Sequence, residues 1–133
     1  MRPGPVVQAI DDIAELPLRF SAGLTRQLVG PHNGATNLDV HVVTLDPADR
    51  PGPLHIHPRA ESVYLILHGS VQFHINGEDH EVHSEQFVFI PPGMPHAVMN
   101  TRMQPAHLIG IYAPPGDDFL QVNGTLEGGA AAP

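Results

Sequence analysis

The sequence predicts a single all-β domain, built as a barrel or sandwich of many short strands. Its 133 residues are enough for one hydrophobic core and too few for two. Short runs rich in β-branched or alternating apolar residues recur along the chain, and most of the fifteen prolines and thirteen glycines fall between them. A helical pattern is found only at residues 11–16, and Pro17 stops it.

The strands follow from these runs in order. Residues 36–45 are rich in β-branched side chains and roughly alternate, and the loop at 46–53 holds three prolines and a glycine. Residues 61–67 form an apolar strand. Residues 71–75 alternate strictly and end at an Asn-Gly pair at 76–77, a strong hairpin signal. Further strands are predicted at 81–84, 86–90, 97–100 and 107–112. The predicted core consists of Leu65, Leu67, Phe73, Phe87, Phe89, Ile90, Val98, Leu108 and Ile111.

The predicted domain organisation has three parts. The barrel domain covers residues 36–120, an N-terminal arm covers 1–35, and the tail at 121–133 has little to bury and is expected to be loose. The arm carries apolar side chains that a small barrel cannot easily bury alone, so it is expected to pack on the barrel or on a partner. A homodimer in which the arm covers a neighbour's sheet edge would satisfy this need.

Composition excludes several classes of chemistry. The chain has no cysteine, which rules out disulfides, thiolate metal sites and a cysteine nucleophile. All six basic residues are arginines, so no lysine is available for a Schiff base or a phosphate-binding loop. A net charge of −8 argues against nucleic acid as a partner. We expect no membrane segment and no secretory signal, hence a cytoplasmic protein that acts on a small molecule.

The first candidate site is the segment His55-Ile56-His57 with Glu61. Side chains two residues apart on a strand point to the same face, so the two imidazoles project together. Glu61 shares their parity if the link at 58–60 keeps the strand register. Two imidazoles and a carboxylate suit a divalent transition metal. Taken alone, the pattern is equally compatible with surface histidines beside a solvated glutamate.

The second candidate site places Pro91, Gly93, His96 and Asn100 at a fixed spacing. Together with the first segment and Gly69, this pattern resembles the two sequence motifs of the cupin superfamily. The motifs and their spacer cover about 50 of the 133 residues. The resemblance implies a double-stranded β-helix, or jelly roll, with a metal inside the barrel.

The chain departs from the cupin pattern at three points. Asp49 and Glu85 stand where the motifs open with glycine, which affects turns rather than the metal site. Seven residues separate Glu61 from Gly69, where the pattern has six. Either a bulge near residues 66–68 absorbs the extra residue, or Ser62 occupies the ligand position and the site has three histidines. Strand parity favours Glu61.

The resemblance implies that His55, His57, Glu61 and His96 ligate one divalent metal ion. Iron, manganese, nickel, cobalt, zinc or copper are all compatible with such a set. Glu61 would also be the catalytic proton acceptor. Asn100 would be structural, closing the turn after the second motif.

The cupin resemblance leaves three functions open. The first is a mononuclear non-haem metal dioxygenase or oxygenase acting on a small organic substrate. The second is a redox-neutral isomerase, cyclase or lyase in which the metal polarises a carbonyl. The third is a module that binds a small ligand without turnover. The presence of all four predicted metal ligands argues against this non-catalytic module.

Other polar residues are left with open roles. His41 shares strand parity with Asp39, and a solvated polar face is the expected place for both. His74 is expected on the outer face of its strand, and His107 could approach the mouth of the pocket. Either of the two tyrosines, Tyr64 and Tyr112, could supply a hydroxyl to a substrate.

Overall fold

The structure is a computed structural model that describes residues 4–116 and 118–122. Within these residues the chain forms eleven strands and two short 3-10 turns, at Ile10–Asp12 and Pro31–Asn33. The strands are β1 (Leu16–Pro17), β2 (Gly23–Val29), β3 (Asp39–Leu45), β4 (His55–Ile56), β5 (Glu61–His68), β6 (Ser70–Ile75), β7 (Glu78–His83), β8 (Phe87–Ile90), β9 (His96–Met99), β10 (Ala106–Ala113) and β11 (Leu120–Gln121).

Two sheets make up the fold, and every strand pair in them is antiparallel. The six-stranded sheet has the order β1-β2-β3-β10-β5-β8, and the five-stranded sheet has the order β11-β4-β9-β6-β7. The predicted all-β jelly-roll class is therefore confirmed. The core consists of Val43, Leu45, Tyr64, Ile66, Val71, Phe73, Ile75, Val82, Ile90, Ala106 and Leu108.

The Asn-Gly hairpin is present as predicted and joins β6 to β7. Asn76 has a φ of 49° and Gly77 a φ of 87°, the left-handed pair that a two-residue type I′ turn requires. Glu85 also has a positive φ, of 69°, at the place where the cupin pattern has glycine. A side chain at this φ is strained, which explains why glycine is the expected residue there.

Part of the predicted core lies instead on the outer face of the six-stranded sheet. Leu65 and Leu67 on β5, and Phe87 and Phe89 on β8, are exposed, Phe87 by 67%. The prediction was wrong because β5 is apolar on both faces. An unbroken apolar run does not reveal which alternate residues face inward.

The predicted domain boundaries differ from the strand pattern at both ends. β2 lies within the predicted arm, yet it pairs with β3 as part of the six-stranded sheet. Gln121 lies within the predicted loose tail, yet it pairs with His55 in the five-stranded sheet. Residues 123–133 of that tail lie outside the described residues.

The N-terminal arm keeps its apolar side chains accessible. Val6, Val7 and Ile10 are exposed, Val7 by 96%. A homodimer that covers these side chains stays a prediction, which light scattering over a range of protein concentrations tests. No helix within the described part of the chain has the length and apolar character needed to cross a membrane.

Candidate metal centre and ligand cavity

Three histidines meet inside the barrel and form what we call the imidazole cluster: His55, His57 and His96. His55 lies on β4 directly opposite His96 on β9, and the strand pairing brings their ring centroids to 4.2 Å. His57 follows β4 two residues later, with its ring 5.0 Å from that of His55. One ring nitrogen from each histidine lies within 4.8 Å of the other two.

Backbone carbonyls fix the tautomers of two of these rings. His55 Nδ1 donates to the carbonyl oxygen of Pro53 at 2.8 Å, and His96 Nδ1 donates to that of Met94 at 2.9 Å. A carbonyl only accepts, so each Nδ1 carries the proton and each neutral ring keeps its lone pair on Nε2. This arrangement orients imidazoles for metal binding, because the second ring nitrogen sets both tautomer and direction.

Burial keeps the imidazole cluster neutral. The pKa of His55 falls to about 3, mainly because burial penalises the charged ring and secondarily because His96 lies close to it. Burial likewise lowers the pKa of His96 to about 4. It lowers the pKa of His57 less, because the charge and backbone of Asp118 oppose the shift. Neutral imidazoles are the form that binds metal.

The residues present fit a divalent metal. His57 Nε2 and His96 Nε2 are fully buried, and none of the described residues hydrogen-bonds to either atom. A buried polar atom without a partner costs about 1–3 kcal/mol, so two of them side by side call for a ligand. A metal ion satisfies both nitrogens, and a set of three imidazoles suits zinc, copper, iron or nickel.

Glu61, the fourth predicted ligand, does not join the imidazole cluster. It is exposed at the start of β5, whereas its neighbour Ser62 is 1% exposed and faces inward. The parity argument failed because the link after His57 does not continue the strand. Ala60 is buried, an odd number of residues after His57, so the bend at residues 58–59 reverses the alternation.

Ser62, the alternative to Glu61 at this position, is the residue of the two that is buried. Its hydroxyl is buried and unpartnered within the described part of the chain, as are the two free imidazole nitrogens. The predicted bulge is also present: β10 pairs His107 with His68 and Leu108 with Ile66, which leaves Leu67 extra. The bulge thus exists without bringing Glu61 inward.

An apolar cavity of about 300 Å³ opens beside the imidazole cluster, and His55 and His57 form part of its wall. Phe119 stacks on the His55 ring at 4.3 Å and on Phe20 at 4.6 Å, so aromatic rings cover one side. The remaining wall is mainly aliphatic and aromatic, including Leu18, Val43, Leu45, Val98 and Leu108. This cavity suits an apolar or aromatic ligand of modest size.

Asp118 holds the segment that carries Phe119 in place. Its carboxylate accepts hydrogen bonds from the backbone N–H groups of Arg59 and Ala60, at 2.8 and 2.9 Å. Burial alone would raise the pKa of Asp118, but these two donors, aided by the positive charge of Arg59, lower it overall. The same carboxylate therefore fixes the bend at residues 58–59 and the aromatic wall.

A second polar group lies on the cavity wall. His41 and Asp39 share a face as predicted, and His41 Nδ1 lies 3.0 Å from Asp39 Oδ1. The expectation of a solvated face was wrong for His41, whose side chain is 12% exposed and lines the cavity. Tyr64 and Tyr112 both line the cavity too, and their hydroxyl oxygens are 2.7 Å apart. Burial raises the pKa of both phenols, so they stay protonated.

The remaining histidines with open roles lie away from the cavity. His74 lies on the outer face of β6, as predicted, where its ring pairs with Asp79 at 2.7 Å. His107 contacts Thr44 at 3.3 Å and is not among the residues that line the cavity. Asn100, fully buried, donates to the carbonyls of Leu45 and Gln104, which agrees with its expected structural role.

Sequence reasoning missed Phe20, Asp118 and Phe119. Phe20 lies within the predicted arm, and the other two lie near the end of the barrel domain, far from both motifs. The sequence around Asp118 and Phe119 has neither the alternation of apolar and polar residues nor the turn dipeptide that would predict a strand on a cavity wall. The pairing of β11 with β4 and the hydrogen bonds of Asp118 bring this segment to the imidazole cluster.

Comparison with known proteins agrees with this fold. The chain matches the profile of the Cupin domain family over residues 41–112. This chain belongs to the cupin family. The match runs from β3 into β10, and it includes the whole imidazole cluster.

One curated protein similar to this cupin is a polyketide synthase protein. The tetracenomycin polyketide synthase protein TcmJ of Streptomyces glaucescens is 26% identical over 99 residues, which are 74% of this chain and 66% of that protein. The matched part is thus slightly under two thirds of the length of TcmJ.

Two solved structures share the fold over most of their length and most of this chain. The polyketide cyclase RemF from Streptomyces resistomycificus superposes with a TM-score of 0.78 at 20% identity, over 90% of this chain and 86% of that one. KdgF from Halomonas sp. superposes with a TM-score of 0.74 at 14% identity, over 86% of this chain and 98% of that one. At these identities the likeness shows the fold alone.

Proposed function

We propose that this cupin is a metal-dependent cyclase that closes a ring in a small substrate with several carbonyl groups. The observation that carries the proposal is the position of the imidazole cluster: two of its histidines, His55 and His57, line an apolar cavity that also presents phenols. A metal bound by these nitrogens supplies a Lewis acid that polarises a carbonyl. The apolar wall holds a flexible chain in a folded conformation and excludes water from it.

The reaction class is an intramolecular aldol condensation. A carbon next to one carbonyl loses a proton, and its electron pair forms a C–C bond to a second carbonyl carbon. The oxygen of that second carbonyl takes up a proton, and water leaves when the new ring becomes unsaturated. Neither an oxidant nor a reductant is consumed. The protein therefore needs an electrophile, a proton carrier and a shaped cavity.

The names of two similar proteins support this choice. RemF is a polyketide cyclase and TcmJ is a polyketide synthase protein. Polyketide chains carry carbonyl groups at regular intervals, which is the chemistry that an aldol ring closure needs.

The placement of Glu61 favours a cyclase over the oxygenase that the sequence also suggested. That oxygenase hypothesis used the carboxylate as metal ligand and proton acceptor, but Glu61 is exposed outside the imidazole cluster. Three neutral ligands leave the full charge of the ion on the metal, which strengthens it as a Lewis acid.

Incubation with a linear, aryl-capped poly-β-ketone under strictly anaerobic conditions tests the proposal. We expect metal-loaded protein to form a product lighter by one water for each ring closed, as read by mass spectrometry. His96→Ala should abolish the product, and His74→Gln, which changes a surface histidine, should retain it. A product that forms only in air and gains oxygen would replace the cyclase with an oxygenase.

A further inference from the structure

A polar group beside the imidazole cluster has no part in holding the metal. It consists of His41, Tyr64 and Tyr112, which line the cavity, and Asp39, which pairs with His41, and we call it the hydroxyl site. Tyr112 lies between the hydroxyl site and the imidazole cluster: its ring centroid lies 5.0 Å from that of His41 and 5.0 Å from that of His57. The hydroxyl site and the imidazole cluster are therefore neighbours in one cavity.

The two phenols together leave one O–H group available to a ligand. Tyr64 is 7% exposed, and within the described part of the chain its hydroxyl has a hydrogen bond with Tyr112 alone. Each phenol carries a single proton and the two share one hydrogen bond, so one O–H proton of the pair remains for an acceptor in the cavity. We assign this proton to Tyr112, because Tyr64 is the more deeply buried of the two phenols.

Asp39 orients the ring of His41, which lines the cavity. The Asp39 carboxylate only accepts, so the proton between them lies on His41 Nδ1, and a neutral ring keeps its lone pair on Nε2. The ring lies over Gly110, where a Cβ would come within 2.7 Å of His41 Nε2. Any larger residue at position 110 would push this ring away.

We propose that the hydroxyl site binds an oxygen that is both donor and acceptor, as in an enol or a phenol. Tyr112 donates to this oxygen, and His41 Nε2 accepts its proton. The inference deepens the cyclase proposal and rests on it for the identity of the substrate. A β-dicarbonyl unit in its enol form has such a hydroxyl next to a carbonyl, and the two neighbouring sites suit that pair.

Binding of two fluorescent probes to metal-free protein tests the hydroxyl site separately from metal and turnover. The probe 2-naphthol has the O–H group, and 2-methoxynaphthalene keeps the ring and oxygen but lacks that proton. We expect wild-type protein, treated with a chelator, to bind 2-naphthol about tenfold more tightly than the methyl ether. A factor of ten corresponds to about 1.4 kcal/mol, the worth of one hydrogen bond.

Variants decide whether the preference comes from these residues. Tyr112→Phe and His41→Leu, which has no hydrogen-bond acceptor, should each reduce it to about twofold or less while leaving the affinity for 2-methoxynaphthalene unchanged, which shows that the cavity is intact. His74→Leu is the matched control, since it alters a His–Asp pair on the outer face. If Tyr112→Phe does not fold, His41→Leu alone decides.

Two outcomes would overturn the inference. One is a wild-type protein that binds both probes equally. The other is a preference that survives both substitutions. If the hydroxyl preference is found but poly-β-ketones are not cyclised, the hydroxyl site stands and the cyclase proposal fails.

Discussion

Two groups of histidines in this molecule have opposite surroundings. The imidazole cluster is enclosed between the sheets, whereas His74, His80 and His83 lie along the β6–β7 hairpin. On the hairpin, His74 and His80 each face a carboxylate, at 2.7 and 3.8 Å. In the cluster, the Nδ1 atoms of His55 and His96 meet backbone carbonyls, and two Nε2 atoms have no partner within the described part of the chain.

The difference teaches that the strand face, and not the residue type, decides the role of a histidine. The hairpin rings lie beside carboxylates and water, while burial lowers the pKa of His55 and His96 and so favours their neutral form. Only the second environment prepares a lone pair for a metal. Counting histidines in the sequence does not separate the two groups, because both alternate along short strands.

Of the changes considered, lowering the pH should have the largest effect on stability, because it puts positive charge on the buried histidines. In metal-free protein the pKa of His55 and that of His96 lie at about 3 and 4, below the value of about 6.5 in the unfolded chain. The unfolded state therefore binds protons first. The stabilising contribution is complete above pH 6.5 and is lost as the pH falls toward 4. We expect a loss of roughly 3–6 kcal/mol in unfolding free energy over that range, measured by urea denaturation with chelator present.

Single histidine variants show which residues cause this pH dependence of the unfolding free energy. His96→Gln should remove about half of this pH dependence, while His74→Gln should leave it unchanged. Equal slopes for His96→Gln and wild type would mean that the buried imidazoles do not govern stability in acid.

Removal of Asp118 should have an intermediate effect. Asp118→Ala leaves the N–H groups of Arg59 and Ala60 without their acceptor, and Ala60 is buried. We expect a loss of about 1–3 kcal/mol in unfolding free energy and weaker stacking of Phe119 on His55. Thermal unfolding checks the first effect, and binding of 2-methoxynaphthalene reports on the aromatic wall. Asp79→Ala, which removes a carboxylate from the hairpin, should change stability by less than about 0.5 kcal/mol.

The smallest effects should come from the two candidate ligands next to each other on β5. Glu61→Gln should leave metal affinity unchanged within about twofold, since Glu61 is exposed. Ser62→Ala removes a buried hydroxyl without a described partner, so metal-free protein should gain up to about 1 kcal/mol. Isothermal titration with zinc and chemical denaturation measure the two quantities. A Glu61→Gln protein that no longer binds metal would restore the carboxylate as a ligand.

The sequence was sufficient for features that depend on local chemistry. The His55 and His57 pair follows from strand alternation, and the Asn76–Gly77 turn follows from its demand for positive φ. The position of His96 came from the resemblance to cupins. Features that depend on distant parts of the chain were missed. The bend at residues 58–59 turned Glu61 outward, and sheet pairing together with the hydrogen bonds of Asp118 brings Phe119 to the cavity.

His41 is the most instructive error. Its strand begins with Asp39 and His41 on one face, and two polar residues on one face ordinarily mean solvent. Here that face turns toward a cavity lined by Tyr64 and Tyr112, and the ring of His41 packs directly over Gly110. A polar face turned toward a cavity has the same sequence pattern as one turned toward water.

Metal content tests the central claim most directly. Wild-type protein, His96→Ala and His74→Ala would each be purified without chelator, dialysed against equimolar zinc and analysed by elemental mass spectrometry, with circular dichroism to verify folding. We expect about one metal per chain for wild type and for His74→Ala, and nearly none for a folded His96→Ala. Stoichiometric metal in His96→Ala, or its loss in His74→Ala alone, would contradict the assignment of the imidazole cluster as the metal site.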